Sequence, residues 1–250
     1  MKLKDKTIIV TGASSGIGAA SALLLASNGA NLVLGARRRP ELERLVGQIA
    51  QGNGNAVCLP GDVRDEAYAE ALVRCALDTF GGLDGAFNNA GTVGQMQPVP
   101  DMHSNNWHEV LAVNLNSGFY AAKYQIPALR DNGGGSIVFT SSFVGHAIGL
   151  PGMAAYAAAK AGLVGLVQVL AVEHGTEKVR VNALLPGGTM TPMAGDDPSF
   201  HEVVRGFHAL KRIAEPSEIA QAAMFLLSPE ASFVTGSAMT VDGGNSITKA

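Results

Sequence analysis

The stretch from Lys6 to Ala36 constrains this chain more than any other. "KTIIV" is a short apolar run rich in β-branched residues and reads as a buried strand. "TGASSGIG" interrupts it with Gly12, Gly16 and Gly18, and "AASALLLASNG" continues with strong helix formers. "ANLVLGA" is a second apolar strand. Strand, glycine turn, helix and strand form a unit whose two strands lie parallel, because a helical crossover returns the chain in the same direction.

The alternation persists. "PELERLVGQIA" predicts a helix with Pro40 in its first turn, and "NAVCLPGD" a third strand. Residues 65–80 place Leu72, Cys75, Ala76 and Phe80 at helical spacing. "LDGAFNNAG" is a fourth strand running into a loop, followed by two helices over 101–112 and 115–131. "GSIVFTSS" is a fifth strand. Helix 155–174 sets Leu163, Leu166, Val167 and Leu170 on one side. "VRVNALLPG", a helix in "EPSEIAQAAMFLLS" and "SAMTVDGG" complete the pattern. Continuous apolar strands separated by helices predict an α/β fold with a parallel sheet covered on both faces.

No composition shift or repeat marks a second unit, so residues 1–250 read as one domain. With 47% hydrophobic side chains, the chain can bury one sizeable core. Gly187, Gly188, Pro192, Gly195 and Pro198 punctuate 187–212, which predicts a lid or substrate loop with a short helix at best. The net charge of -3 gives no electrostatic case for nucleic acid or an anionic membrane as partner. The N-terminal apolar run is too short for a signal peptide or a membrane span, so a cytoplasmic location is expected. Cys58 and Cys75 lack metal-ligand neighbours; both read as reduced core residues, and no metal is expected.

The glycine turn suits a ligand. It lets a pyrophosphate approach backbone amides at a helix N-terminus, with Gly12, Ser14, Ser15, Gly16, Ile17 and Gly18 as the contacts. At the end of the second strand, an acid would hold the ribose hydroxyls of NAD(H). This chain has Ala36, Arg37 and Arg38 there, and guanidinium groups suit an additional 2'-phosphate. NADP(H) is therefore favoured, with NAD(H) as the alternative. Asp62 either accepts from the adenine amine, with Val63 against the ring, or caps the following helix. Asn89, Ala90 and Gly91 of "NNAG" hold a loop beneath the same ligand.

"YAAAK" places Tyr156 and Lys160 one helical turn apart on one face. Tyr156 can donate a proton to a carbonyl oxygen while hydride arrives at carbon. The Lys160 ammonium and a cationic nicotinamide ring can together favour the phenolate and lower the tyrosine pKa, and Lys160 can bond the nicotinamide ribose. Ser142 ends the fifth strand, where its hydroxyl can hold the reacting oxygen; Ser141 is the neighbouring alternative. Asn114 can position a water near Lys160, with Asn116 as local competitor.

In order, "TGASSGIG", "NNAG", the serine pair 141–142, "YAAAK", "VNALLPGG" and "VTGSAMTVDGG" resemble the short-chain dehydrogenase/reductase family over nearly the whole chain. The resemblance implies a Rossmann-like doubly wound sheet of seven parallel strands and an NAD(P)-dependent enzyme. It assigns acid/base work to Tyr156, ribose binding and tyrosine perturbation to Lys160, the reacting oxygen to Ser142 and proton-relay support to Asn114. It also places Pro186, Gly187 and Thr189 beside the nicotinamide, although "PGGTMTPM" departs from the familiar valine- or isoleucine-containing version. A homotetramer is implied in the same way.

The expected substrate is a ketone or secondary alcohol, with His146, Ile148, Met153, Met193, Phe200 and Phe207 lining the pocket. A 3-oxoacyl thioester is one option. Gly133 and Glu177 occupy places where an acyl carrier protein would need basic contacts, so that partner is not favoured, with Arg130 and Lys178 nearby as substitutes. The alternative from another class is a module that senses NADPH without turnover.

Overall fold

The computed structural model describes residues 1–248. Its elements run β1 (Thr7–Thr11), α1 (Gly16–Ser27), β2 (Asn31–Ala36), α2 (Arg39–Gln51), β3 (Asn55–Pro60), α3 (Glu66–Phe80) and β4 (Gly85–Asn88). There follow α4 (Ser104–Leu111), α5 (Ser117–Asp131), β5 (Gly135–Thr140), α6 (Ala154–His174), β6 (Val179–Pro186), α7 (Pro198–Phe207), α8 (Pro216–Leu227) and β7 (Ala238–Val241). The seven strands form one sheet in the order β3-β2-β1-β4-β5-β6-β7, every pair parallel. This is the Rossmann-like doubly wound sheet that the family resemblance implies.

Side chains alternate across the sheet. Ile9 joins the core beneath α3, α5 and α6, with Phe139, Leu163 and Val167. Its neighbour Val10 joins the core beneath α1, α2 and α8, with Leu25, Leu34 and Ile219. Both faces are therefore covered, which explains the unbroken apolar strands. Strand order reverses between β1 and β4, so the loops after these strands diverge and leave a crevice at their carboxyl ends.

Two expectations change. Residues 101–131 do not form two separate helices. A π-helical turn, Ala112–Asn116, joins α4 to α5 without a break. Such a turn inserts an extra residue into the helical ladder and displaces the local side chains. The segment 187–212 carries more regular structure than its punctuation suggested. Asp197 caps α7 by accepting from the Ser199 N–H at 2.9 Å, and the helix then runs for 10 residues.

Among the described residues, Ala154–Glu177 is the one helix long and apolar enough to cross a membrane. In this fold its apolar stripe lies against the sheet: Leu163, Val167 and Leu170 are buried, and Leu166 packs partly against the same core.

Candidate active site

The strand ends and the elements above them enclose a cleft of about 720 Å³. Gly12, Ser14, Ser15, Gly16 and Ile17 line it from the glycine turn, and Arg37, Arg38, Asp62 and Val63 from the next two strand ends. Asn89, Ala90 and Gly91 form the floor, Ser142, Tyr156 and Lys160 the far wall, and Pro186, Gly187 and Thr189 the edge after β6. Residues scattered over the chain thus meet at one site because parallel strands deliver all their carboxyl ends to one edge.

The glycine turn is built for an anion. Gly12 and Gly16 take φ of +66° and +55°, a region open to glycine. Ser15 precedes α1 without a side-chain cap, and no acid lies in the first turn. The helix N-terminus therefore faces the cleft with uncompensated amides, which fits a pyrophosphate. Gly18 does not line the cleft. A Cβ there would stand 2.2 Å from the Gly12 carbonyl oxygen, so its job is to let α1 seat on the turn. Arg38 donates to Ser14 Oγ at 2.9 Å and to Ser15 Oγ at 2.8 Å, which holds its guanidinium over the turn.

Asp62 is not the helix cap; that role belongs to Asp65, which accepts from the Ala67 N–H at 3.0 Å. Asp62 instead accepts from the Arg64 backbone N–H at 3.0 Å and from its guanidinium at 2.7 Å. That pairing holds the carboxyl below its ordinary range, so the group stays an acceptor.

β5 ends at Thr140, so Ser141 and Ser142 lie in the loop just beyond the strand rather than at its end, and their hydroxyls take different partners. Ser141 Oγ donates to the Lys160 carbonyl at 2.7 Å and ties β5 to α6. Ser142 Oγ accepts from the Val144 N–H at 3.1 Å and faces Tyr156, whose phenol it pulls towards ionisation. Burial is the larger influence on Tyr156 and pushes its pKa up, while Lys160 contributes no resolved depression. Desolvation outweighs the pull of the Ser142 hydroxyl on this phenol. The same burial brings Lys160 down to about 7. Its Nζ donates to the Thr140 carbonyl at 2.6 Å and lies 5.6 Å from the Tyr156 ring centre. An ammonium has three donors, so two remain for groups entering the cleft.

Asn114 sits in the π turn, 2% exposed. Its Nδ2 donates to the carbonyls of Thr92 at 2.7 Å and Val110 at 2.9 Å, and its Oδ1 accepts from the Thr92 N–H at 3.1 Å. The side chain clamps the loop beside Gly91 and keeps one oxygen lone pair for a water. A Cβ on Gly91 would stand 2.9 Å from Asn114 Oδ1 and 3.5 Å from Lys160 Nζ, so this glycine admits both side chains.

Ile148, Met153, Met193, Phe200 and Phe207 line the cleft as expected. His146 does not. It is exposed on the loop before α6, because the turn at Gly145 carries it outward. The sequence reading missed Leu150, His201, Val204, Ile213 and Thr248, which also line the cleft. The spacing of Phe200, Val204 and Phe207 on one helical face was the available signal for Val204. Arg130 and Lys178 sit at the amino ends of β5 and β6, the opposite edge of the sheet from the cleft, so within one chain they cannot serve its mouth.

A seven-stranded doubly wound sheet with this crevice defines the Rossmann-like class of nucleotide-binding proteins. A family model described as enoyl-(acyl carrier protein) reductase matches residues 12–246. The chain is 38% identical over 242 residues to a cyclohexanol dehydrogenase of an Acinetobacter strain, a match that covers 97% of this chain and 95% of that protein. It is 41% identical over 247 residues to a 2,5-dichloro-2,5-cyclohexadiene-1,4-diol dehydrogenase of Sphingobium indicum, with 97% of each chain covered. The crystal structure of a levodione reductase superposes with a TM-score of 0.93 at 34% identity, covering 99% of this chain and 100% of that one. The chain belongs to the short-chain dehydrogenase/reductase family, oxidoreductases that bind NAD(P)(H) and act on small carbonyl or alcohol substrates.

Proposed function

We propose that this protein is an NADP(H)-dependent oxidoreductase for a ring ketone or ring secondary alcohol, and that the whole chain acts as one dinucleotide-binding domain. The observation that carries the chemistry is the convergence of Ser142, Tyr156 and Lys160 on one wall of the cleft, with Lys160 buried and Tyr156 half-buried beside it. Burial keeps the phenol protonated, the form needed to donate to a carbonyl oxygen. Ser142 holds that oxygen, and Lys160 uses its free donors on the ribose. Asn114 fixes the loop beside Lys160 and can anchor a water that continues the proton path. When bound, the nicotinamide supplies or accepts the hydride.

Arg37 and Arg38 replace the acid that an unphosphorylated cofactor favours, and the Ser14 and Ser15 hydroxyls organise Arg38 in advance. This supports NADP(H). The opposite wall, with Ile148, Met153, Met193, Phe200 and Phe207, is apolar and suits a hydrocarbon ring. Cyclohexanol and chlorinated cyclohexadienediol in the names of relatives point the same way. A 3-oxoacyl thioester carried by an acidic protein is the weaker choice, since neither Arg130 nor Lys178 reaches the mouth. Exposed Phe119, Val169, Val172 and Phe233 supply apolar surface for a homotetramer working in the cytoplasm.

The test follows nicotinamide absorbance with NADPH and with NADH against cyclohexanone, cyclic diketones, ketosteroids and 3-oxoacyl thioesters. Selective turnover of a ring ketone with NADPH is expected. Turnover confined to the thioesters would overturn the substrate class. Tight NADPH binding without turnover of any carbonyl would favour the sensing module.

A further inference from the structure

His208 lies just beyond the end of α7, is 2% exposed, and touches none of the reacting groups described above. Its Nδ1 is 2.8 Å from the Val204 carbonyl in the last turn of α7. Its Nε2 receives the Gly188 N–H at 3.1 Å. A carbonyl can only accept and a backbone N–H can only donate. The partners therefore define the tautomer: hydrogen on Nδ1, lone pair on Nε2.

The surroundings leave this ring little room. A Cβ on Gly188 would stand 2.6 Å from Val204 Cγ1 and 2.8 Å from His208 Cε1. A Cβ on Gly243 would stand 3.3 Å from His208 Cδ2. The Leu210 N–H donates to the Gly243 carbonyl at 3.1 Å, and Thr248 Oγ1 donates to the Phe207 carbonyl at 2.7 Å. One imidazole thus sits where the segment after β6, the end of α7 and the chain after β7 converge. It caps a helix carbonyl on one side and satisfies a loop amide on the other.

We propose that His208 is a positioning residue: a neutral imidazole that latches α7 to the Pro186–Thr189 segment. It sets the apolar wall of Phe200, Val204 and Phe207 and the cleft edge at Gly187 and Thr189 as one unit. The consequence for cofactor affinity rests on the reading of that edge as the nicotinamide end; the latch itself does not.

Two substitutions separate its bonds. In His208→Gln, the amide oxygen can take the place of Nε2 and still accept from Gly188. In His208→Asn, the amide nitrogen can take the place of Nδ1, which keeps the Val204 bond and loses the Gly188 bond. Amide hydrogen exchange is measured on the ligand-free protein. His208→Asn should exchange at least about tenfold faster at Gly188 and through α7, with β1 and β4 unchanged, while His208→Gln stays within about twofold of the parent. Equal acceleration in both variants, no acceleration in either, or loss of protection that includes β1 would overturn the latch.

Affinity for NADPH and for 2',5'-ADP, which lacks the nicotinamide half, is measured in parallel. His208→Asn should weaken NADPH about tenfold and leave 2',5'-ADP unchanged. An equal loss for both ligands would overturn the coupling of latch to nicotinamide edge. Failure of the parent protein to bind NADPH at all would sink the cofactor reading, and hydrogen exchange would still decide the latch.

Discussion

Lys160 Nζ lies 5.6 Å from the centre of the Tyr156 ring and donates to the Thr140 carbonyl at 2.6 Å. The pair is thus pinned from two elements: α6 sets the spacing and the end of β5 sets the height of the amine. Tyr156→Phe keeps the ring and removes only the transferable proton. Turnover should fall by about 10²–10⁴-fold with cofactor affinity retained, measured by steady-state kinetics beside a binding titration. Lys160→Met should lose both turnover and affinity, because its free donors face the cleft.

Burial of the same lysine gives a pH signature. Its ordinary pKa of 10.5 is brought down to about 7, so between those values the unfolded chain holds a proton that the folded chain lacks. Stability contributed by this site should therefore rise with pH from about 7 towards 10.5. Tyr156 acts in the opposite sense. Its raised pKa favours the folded state only while the phenol stays protonated, so stability should fall as pH climbs beyond the ordinary tyrosine value of 10.0. Denaturant unfolding of the parent and of Lys160→Met across this range checks the sign: the upward slope should flatten in the variant.

The two adjacent serines should fail differently. Ser142→Ala removes the hydroxyl that faces Tyr156 and the acceptor of the Val144 N–H, so kcat should drop about 10²-fold or more beside a stability loss of about 1 kcal/mol. Ser141→Ala removes the bond to the Lys160 carbonyl and should cost about 1 kcal/mol of stability. Paired unfolding and kinetic measurements separate them.

Cofactor choice should turn on the arginines. Arg38→Ala removes the guanidinium that Ser14 and Ser15 hold, and should lower kcat/KM for NADPH relative to NADH by about 10- to 100-fold. Arg37→Asp should shift preference the same way by restoring an acid at the end of β2. An unchanged ratio in both variants would reject the 2'-phosphate assignment.

Gly18→Ala should fail through packing. The added carbon would stand 2.2 Å from the Gly12 carbonyl, so α1 must move off the turn. A loss of about 1–3 kcal/mol, read by thermal unfolding, is expected together with weaker cofactor binding. Gly47→Ala is the control: its added carbon meets nothing within 4 Å.

Much of the site was legible because its signals are local. Tyr156 and Lys160 share a face by helical spacing, and the glycine turn announces itself between a strand and a helix. Ser142 and Ser141 lie past the end of β5, where strand alternation no longer governs, and their different partners come from the loop itself. His146 misled because a loop carries no periodicity to say which way a side chain turns. The bonds of Asn114 to Thr92 and Val110 depend on a π turn that no spacing in "LAVNLNS" reveals.

By itself the sequence determined the alternation of strands and helices, the parallel sheet, the glycine turn and the chemical identity of the candidate acid, base and hydroxyl. Those follow from propensity and period, which act over a few residues. Only the tertiary structure decided which direction the Tyr156 and Lys160 pKa values move, since desolvation depends on everything packed around a group. It alone brought His201 and Thr248 to the cleft and set His208 against Gly188, because those contacts join segments remote along the chain.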